Sequence, residues 1–60
     1  MKIKTQSGSV YFIDAANKVI SGGKLTHPVK FRKASLLIGD KGRFILENGQ
    51  TLITSVIVSY

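Results

Sequence analysis

The dipeptide Asn48-Gly49 constrains the fold of this chain more than any other feature, because it separates two runs of strand-forming residues. The runs, 43–47 and 50–60, are rich in the β-branched and aromatic side chains that favour strands. Asn-Gly between such runs is the strongest short-range hairpin signal, since both central residues of a type I′ turn need positive φ. We therefore predict a β-hairpin over 43–60 with a two-residue turn.

This turn sets a register in which Ile45 pairs with Leu52. The apolar side chains of the second arm change faces near Thr54-Ser55. A bulge or bend there would keep both halves of the long arm against one core, as when a strand turns the corner of a barrel. Ile45 and Leu52 would then point outward together, and we expect them to form an apolar patch suited to a protein interface.

The rest of the chain predicts short strands separated by turns, with no helical periodicity of useful length. The predicted strands are 2–5, 10–14, 19–20 and 29–33, the last interrupted at 34–35 and resuming over 36–38, and Gly42 fits the left-handed position of a hairpin loop. Short strands with turn signals every eight to twelve residues or so indicate a small barrel. We predict an all-β fold, a small SH3-like or partly open antiparallel barrel of five to six short strands, formed by residues 1–60 as a single domain.

Composition narrows the class of protein. Without cysteine, the chain has no disulfide, thiolate nucleophile or Cys-based zinc site. No apolar run approaches the roughly 18 residues of a membrane helix, and no hydrophobic region follows the N-terminal lysines as in a signal peptide. We expect a soluble protein of the cytoplasm that makes no contact with a membrane.

The distribution of charge points to an anionic partner. The net charge is +6, and segment 24–43 holds six basic residues against one acidic residue, Asp40. Such a balance indicates nucleic acid, phosphate or an acidic protein, although it also serves solubility alone. Lys30 and Arg32 fall on one strand face about 6.5 Å apart, comparable with the spacing of phosphates on a single strand. The candidate nucleic-acid-binding residues are Lys30, Arg32, Lys33, Lys41 and Arg43.

An aromatic side chain between basic ones would add a stacking platform, as in small barrels that bind single strands. Phe31 alternates with Lys30 and Arg32 and therefore faces the core. Tyr11, beside the lysines of the first strand, is the candidate stacking residue, with Phe12 or Val10 filling the core in its place.

No set of residues predicts catalysis. His27 is the sole histidine and the chain has three carboxylates, so no acid–base pair is evident and no ligand spacing predicts a metal. Gly22-Gly23-Lys24 is too short for a phosphate loop, which needs a longer glycine-spaced run opening a helix. We expect a protein that is not an enzyme and has no cofactor.

Two motifs carry a family resemblance. Residues 5–14, with the pattern T-x-S-G-S-x-Y-x-I-D, resemble the opening of small, mostly uncharacterised bacteriophage and prophage proteins. Residues 52–58 are similar to the L-x-T-S-x-V-V-type ending of those proteins, with Val56 where they often carry proline. The resemblance implies a phage accessory protein of small β fold, present in the host cell, and transfers no catalytic residue.

Two hypotheses of function follow. The first is nucleic-acid binding through segment 24–43, chiefly by phosphate contacts and with little reading of sequence. The alternative is a protein-interaction module that binds a host factor or a virion component through a sheet edge or the Ile45/Leu52 patch. A homodimer is compatible with the second, since burial between copies would help a chain this short offset its conformational entropy.

Overall fold

The computed structural model describes residues 1–60 as six antiparallel strands that follow one another around a barrel. The strands are β1 (Lys2–Thr5), β2 (Val10–Asp14), β3 (Val19–Gly22), β4 (Val29–Ser35), β5 (Lys41–Leu46) and β6 (Thr51–Ser59). Each strand pairs with the next, and β1 pairs with β6, so the ring is closed. The predicted all-β antiparallel barrel is confirmed, in its six-stranded form. The structure contains no helix with the length and hydrophobicity needed to cross a membrane.

The core consists of seven apolar side chains, and every strand contributes at least one. They are Ile3, Tyr11, Ile13, Ile20, Phe31, Phe44 and Ile57. Alternation along each strand directs these side chains inward and their neighbours outward, which is how a small barrel fills its interior. The rings of Phe31 and Phe44 meet edge to face across β4 and β5, with centroids 5.3 Å apart and planes at 73°.

The hairpin predicted around Asn48-Gly49 is confirmed, but its two-residue turn is wrong. The amide of Leu46 donates to the carbonyl of Gln50 at 2.8 Å, which leaves a three-residue loop over 47–49. Gly49 has φ +88°, whereas Asn48 keeps a negative φ. Asn48 instead accepts a hydrogen bond from the Gln50 amide through Oδ1, at 2.9 Å. A type I turn followed by a left-handed glycine needs one positive φ where type I′ needs two.

The longer loop moves the register by one residue and reverses the predicted faces of the long arm. Phe44 pairs with Leu52, and Arg43 pairs with Ile53. Leu52 is half-buried and packs against the core, whereas Ile53 is 54% exposed. The prediction that Leu52 points outward is therefore wrong, because a one-residue slip moves every side chain to the opposite face.

The predicted change of face near Thr54-Ser55 is confirmed. Lys41 pairs with Val56 and Arg43 with Ile53, so β6 has one residue more than β5 over this stretch. Thr54 is buried before the bulge and Ile57 is buried after it. The extra residue changes the inward parity, and this lets one nine-residue strand pair with both β5 and β1.

Two local predictions in the connection between β4 and β5 are wrong. Residues 36–38 form a loop rather than a strand, with Leu36 packed against the core and Leu37 exposed. The left-handed glycine of this connection is Gly39, at φ +94°, and not Gly42. Gly42 lies buried inside β5, where a Cβ atom would stand 2.8 Å from Thr54 Oγ1. Gly42 therefore lets β5 approach the bulged segment of β6 closely.

Candidate nucleic-acid interface

The five predicted basic residues are all exposed, but they do not form one patch. β4 carries an extra residue, Arg32, between the pairs that Phe31 and Lys33 make with β5. Lys30 pairs with Val19 on β3, whereas Lys33 pairs with Ile45 on β5. β4 therefore presents Lys30 beside the first three strands and Lys33 beside the last two.

Arg32, between these two lysines, is partly committed to the fold. Its Nη2 donates a hydrogen bond to the carbonyl oxygen of Glu47 at 3.0 Å. This bond ties the bulge of β4 to the hairpin loop between β5 and β6. The guanidinium stays exposed and has further N–H groups to offer an anion.

Lys33, Lys41 and Arg43 form what we call the basic face, on the outside of β4 and β5. Arg43 pairs with Ser35 and Lys33 pairs with Ile45, so Lys33 and Arg43 are diagonal neighbours. Diagonal partners on adjacent strands lie about 7–8 Å apart at the backbone, within reach of one another for long side chains. The two line a depression of about 410 Å³ together with Ala34, Ser35, Ile45 and Thr51.

Arg43 also borders a second depression, of about 530 Å³, on its other side. This one is lined by Ser35, Gly39, Asp40, Lys41, Arg43 and Val56. The carboxylate of Asp40 offsets one of the positive charges, so the basic face keeps an excess of cations. Its side chains are hydrogen-bond donors, and the hydroxyls of Ser35 and Thr51 add more. Such a surface is suited to holding an anion in two adjoining positions.

Tyr11 does not take the place that the sequence predicted for it. Its side chain is 5% exposed, and that of Phe12 is 54% exposed. A Cβ atom on Gly23 would overlap the ring of Tyr11, so this ring occupies the space that the glycine leaves. Tyr11 is therefore part of the core and has no free face for stacking. The predicted roles of Tyr11 and Phe12 are reversed.

Phe12 is the residue that sequence reasoning missed. It pairs with Lys2 on one side and with Ser21 on the other, on the outside of β1, β2 and β3. It lines a depression of about 800 Å³, which we call the Phe12 depression, together with Met1, Lys2, Ile13, Asp14, Asn17, Val19, Ser21, Pro28 and Lys30. The adjacent glycines Gly22 and Gly23, at the end of β3 and just after it, are the signal that could have revealed it, because they leave room for two neighbouring rings.

Asp14 lies at one end of this depression and is held by the turn that follows β2. Its Oδ2 accepts a hydrogen bond from Asn17 Nδ2 at 2.9 Å, and its Oδ1 accepts one from the Asn17 amide at 3.1 Å. The side-chain bond from Asn17, followed by the backbone bond, lowers the pKa of Asp14 below its ordinary value of 3.8. This carboxylate is therefore a fixed negative charge at neutral pH.

His27 and Ile45 are the remaining residues that the sequence analysis singled out. His27 lies in an exposed loop with Nδ1 3.0 Å from Thr26 Oγ1. No three His, Cys, Asp or Glu side chains come together in a group that could hold a metal ion. Ile45 is 42% exposed and borders the basic face. It pairs with Thr51 on β6 rather than with Leu52, and the exposed Ile53 is its diagonal neighbour.

No family model matches the chain, and comparisons with curated proteins and with solved structures found no significant match. What the surface can bind therefore rests on its own side chains. These are cations with hydroxyl groups on β4 and β5, and an exposed aromatic ring on β2 with Lys2 beside it on β1.

Proposed function

We propose that this protein is a non-enzymatic binding module that contacts the phosphates of nucleic acid through the basic face. The observation that carries the proposal is the position of Arg43, which borders two adjoining depressions with Lys33 on one side and Lys41 on the other. Successive phosphates of one strand present the matching row of negative charges. A small accessory module of this kind fits the bacteriophage proteins that the chain resembles in its opening and ending motifs.

The chemistry of the face favours phosphate contact over the reading of base sequence. Arginine and lysine neutralise phosphates and release condensed counterions, a gain that depends little on base identity. The guanidinium of Arg43 also forms paired hydrogen bonds with phosphate oxygens, whereas lysine acts as a point charge. The net charge of +6 extends the attraction beyond the contact itself.

We expect the protein to bind DNA or RNA duplexes at about 50 mM salt and to release them as salt rises. Replacing both Lys33→Ala and Arg43→Ala should reduce the slope of log K against log salt by about 2, since each lost phosphate contact removes about 0.9 on B-DNA. Fluorescence anisotropy of a labelled duplex across a salt series measures both quantities.

Lys24→Ala is the matched control. It removes one positive charge from an exposed loop residue that lies off the basic face, so the slope should stay that of the parent protein. Absence of any binding by the parent protein at about 50 mM salt would contradict the proposed function. Equal slopes for the parent and the double variant would show that the basic face is not the surface that binds the phosphates.

A protein-interaction role is the second candidate, because Ile45 and Ile53 expose apolar surface beside the basic face. An interface built on these side chains would hold as salt rises, since burial of apolar surface is not screened by ions. The salt series therefore separates the two roles: phosphate contacts weaken steeply, and an apolar interface, in a homodimer or with another protein, does not.

A further inference from the structure

We infer that the Phe12 depression is a stacking site for an unpaired nucleobase, which makes single-stranded nucleic acid the preferred ligand. The inference rests on the proposed function, because it names the form of nucleic acid that the module takes. It concerns a surface on the first three strands, on the other side of β4 from the basic face.

The position of the Phe12 ring supports stacking. Gly22 supplies the floor, since a Cβ atom there would lie 3.0 and 3.3 Å from Phe12 Cδ2 and Cε2. The ring edge thus rests over the backbone of β3, and more than half of the side chain remains open to solvent. A large aromatic group held at one edge and free elsewhere offers a surface on which a flat base can stack.

Positive charges flank this ring. Lys2 is its direct cross-strand partner, and Lys4 points to the same outer side of β1, two residues further along. Lys30 lines the opposite side of the depression, on β4. An exposed aromatic ring with basic side chains around it is the arrangement that small barrels use for single strands, with bases stacked and phosphates neutralised.

Asp14 determines which side of the Phe12 depression the phosphates of a bound strand can follow. Its fixed carboxylate occupies the end of the depression near the β2–β3 turn, where it repels phosphate. The sugar-phosphate backbone therefore runs along the lysine side of the depression and the base covers Phe12. From Lys30 the exposed side chains of Arg32 and Lys33 continue along β4 to the basic face. One strand of nucleic acid has a basic route between the two surfaces.

The geometry excludes a duplex from full use of this site. Inside a duplex both faces of each base are covered by neighbouring base pairs, so such a base reaches an external ring only after unstacking. An unpaired base has a free face at no such cost. The basic face holds duplex and single strand alike, and Phe12 adds affinity only for the single strand.

Three oligonucleotides of about 12 nucleotides, within the range that small barrels cover, test this inference: a dT single strand, the same strand with abasic positions, and a duplex. Phe12→Ala should weaken binding of the dT strand roughly tenfold and leave the duplex unchanged, since base–aromatic stacking has about that effect. Phe12→Tyr should bind the dT strand as the parent does. The abasic strand should bind the parent no better than the dT strand binds Phe12→Ala.

Phe12→Trp supplies a second readout, because the chain contains no other tryptophan. Its fluorescence should be quenched by the dT strand and not by the duplex. Unchanged affinity of folded Phe12→Ala for the dT strand, together with no quenching of Phe12→Trp, would overturn the stacking site. If the Lys33→Ala and Arg43→Ala double variant still loses duplex affinity, the proposed function stands. Failure of the parent protein to bind any of the three oligonucleotides would instead overturn the proposed function.

Discussion

At the scale of single residues, the adjacent glycines Gly22 and Gly23 decide where two aromatic rings go. The edge of the Phe12 ring packs against Gly22 on the outside of the barrel, and the ring of Tyr11 fills the space beside Gly23 on the inside. Gly23 also donates its amide to the carbonyl of Val10 at 2.7 Å, which fixes the end of β3 against β2. One dipeptide thus serves both the core and the proposed stacking site.

Gly23→Ala should therefore destabilise the fold more than the same change at a glycine with open space. Both Gly23 (φ +54°) and Gly8 (φ +89°) have left-handed backbones, but only at Gly23 would a Cβ atom meet a ring. A left-handed alanine costs roughly 1–2 kcal/mol, and displacing a packed ring adds about 1–3 kcal/mol. We expect Gly23→Ala to lower the free energy of unfolding by about 3 kcal/mol and Gly8→Ala by about 1–2 kcal/mol in chemical denaturation.

Gly8 is a demanding control. Its φ lies further from the left-handed optimum near +57° than that of Gly23, so backbone strain alone would make Gly8→Ala the worse variant. If Gly8→Ala proves the more destabilising of the two, the contact between Gly23 and Tyr11 does not determine how much free energy of unfolding is lost.

At the scale of elements, hydroxyl groups join the first turn of the chain to the bulge of its last strand. Ser7 Oγ lies 3.0 Å from both Thr5 Oγ1 and Ser55 Oγ. The Gln6 amide donates to the carbonyl of Val56 at 2.8 Å. Segments 5–14 and 52–58 of the chain are therefore in contact. Their serines and threonines have a structural task in closing the ring.

Thr54 stabilises the same bulge from inside the barrel. Its buried Oγ1 accepts a hydrogen bond from the Gly42 amide at 3.0 Å and donates one to the carbonyl of Ser55 at 2.8 Å. Thr54→Val keeps the shape and removes both bonds, which should cost about 1–3 kcal/mol because the Gly42 amide stays buried without a partner. Hydrogen exchange should show faster exchange at that amide.

Thr54→Ser is the matched variant for this prediction. It keeps the hydroxyl and loses one methyl group, worth about 0.8 kcal/mol by burial. The Gly42 amide should therefore stay as protected as in the parent protein. Equal protection of that amide in Thr54→Val and Thr54→Ser would show that the Thr54 hydroxyl does not stabilise the bulge.

Local signals were enough to predict the six strands of the barrel and the terminal hairpin, because turn residues and alternation act within a few positions. They also predicted a strand over 36–38, where the structure has a loop. They did not settle the loop at Asn48-Gly49, since this dipeptide fits both a two-residue and a three-residue loop. The choice depends on which face of β6 meets the core, and the three-residue loop puts Leu52 there. That is a property of the closed ring and not of the hairpin alone.

The candidate site was predictable to the same extent. Exposure of the basic residues follows from their charge, so their places on the surface were expected. Their division between two sides of the barrel depends on the bulge at Arg32. No residue pattern in the sequence indicates this bulge. Tyr11 and Phe12 lie in a strand that is apolar on both faces, so alternation did not separate them. Gly22 and Gly23, at the end of β3 and just after it, determine which ring lies inside and which lies outside.

At the scale of the whole molecule, charge and fold act against each other. The chain of 60 residues has nine lysine and arginine residues and three side-chain carboxylates. Closing the barrel therefore brings like charges together. One of the three carboxylates, Asp14, is hydrogen-bonded to Asn17. The positive charge on which the proposed function rests therefore also destabilises the free protein.

Added salt should consequently stabilise the fold. Raising NaCl from about 10 to about 200 mM shortens the Debye length from roughly 30 to 7 Å and screens the repulsion between surface cations. We expect the melting temperature to rise by about 3 °C, which corresponds to roughly 0.5 kcal/mol for a domain of this size. Thermal unfolding followed by circular dichroism measures the change.

Lys24→Glu provides the matched variant, because it lowers the net charge by two at an exposed loop position. Its melting temperature should be higher at low salt and should depend less on salt than that of the parent protein. A melting temperature that falls with NaCl would mean that attractive ion pairs outweigh the repulsion. Over the same range of salt the affinity for nucleic acid should fall, so screening moves stability and binding in opposite directions. A bound strand and added salt relieve the same repulsion, and nucleic acid should therefore stabilise the protein most at low salt.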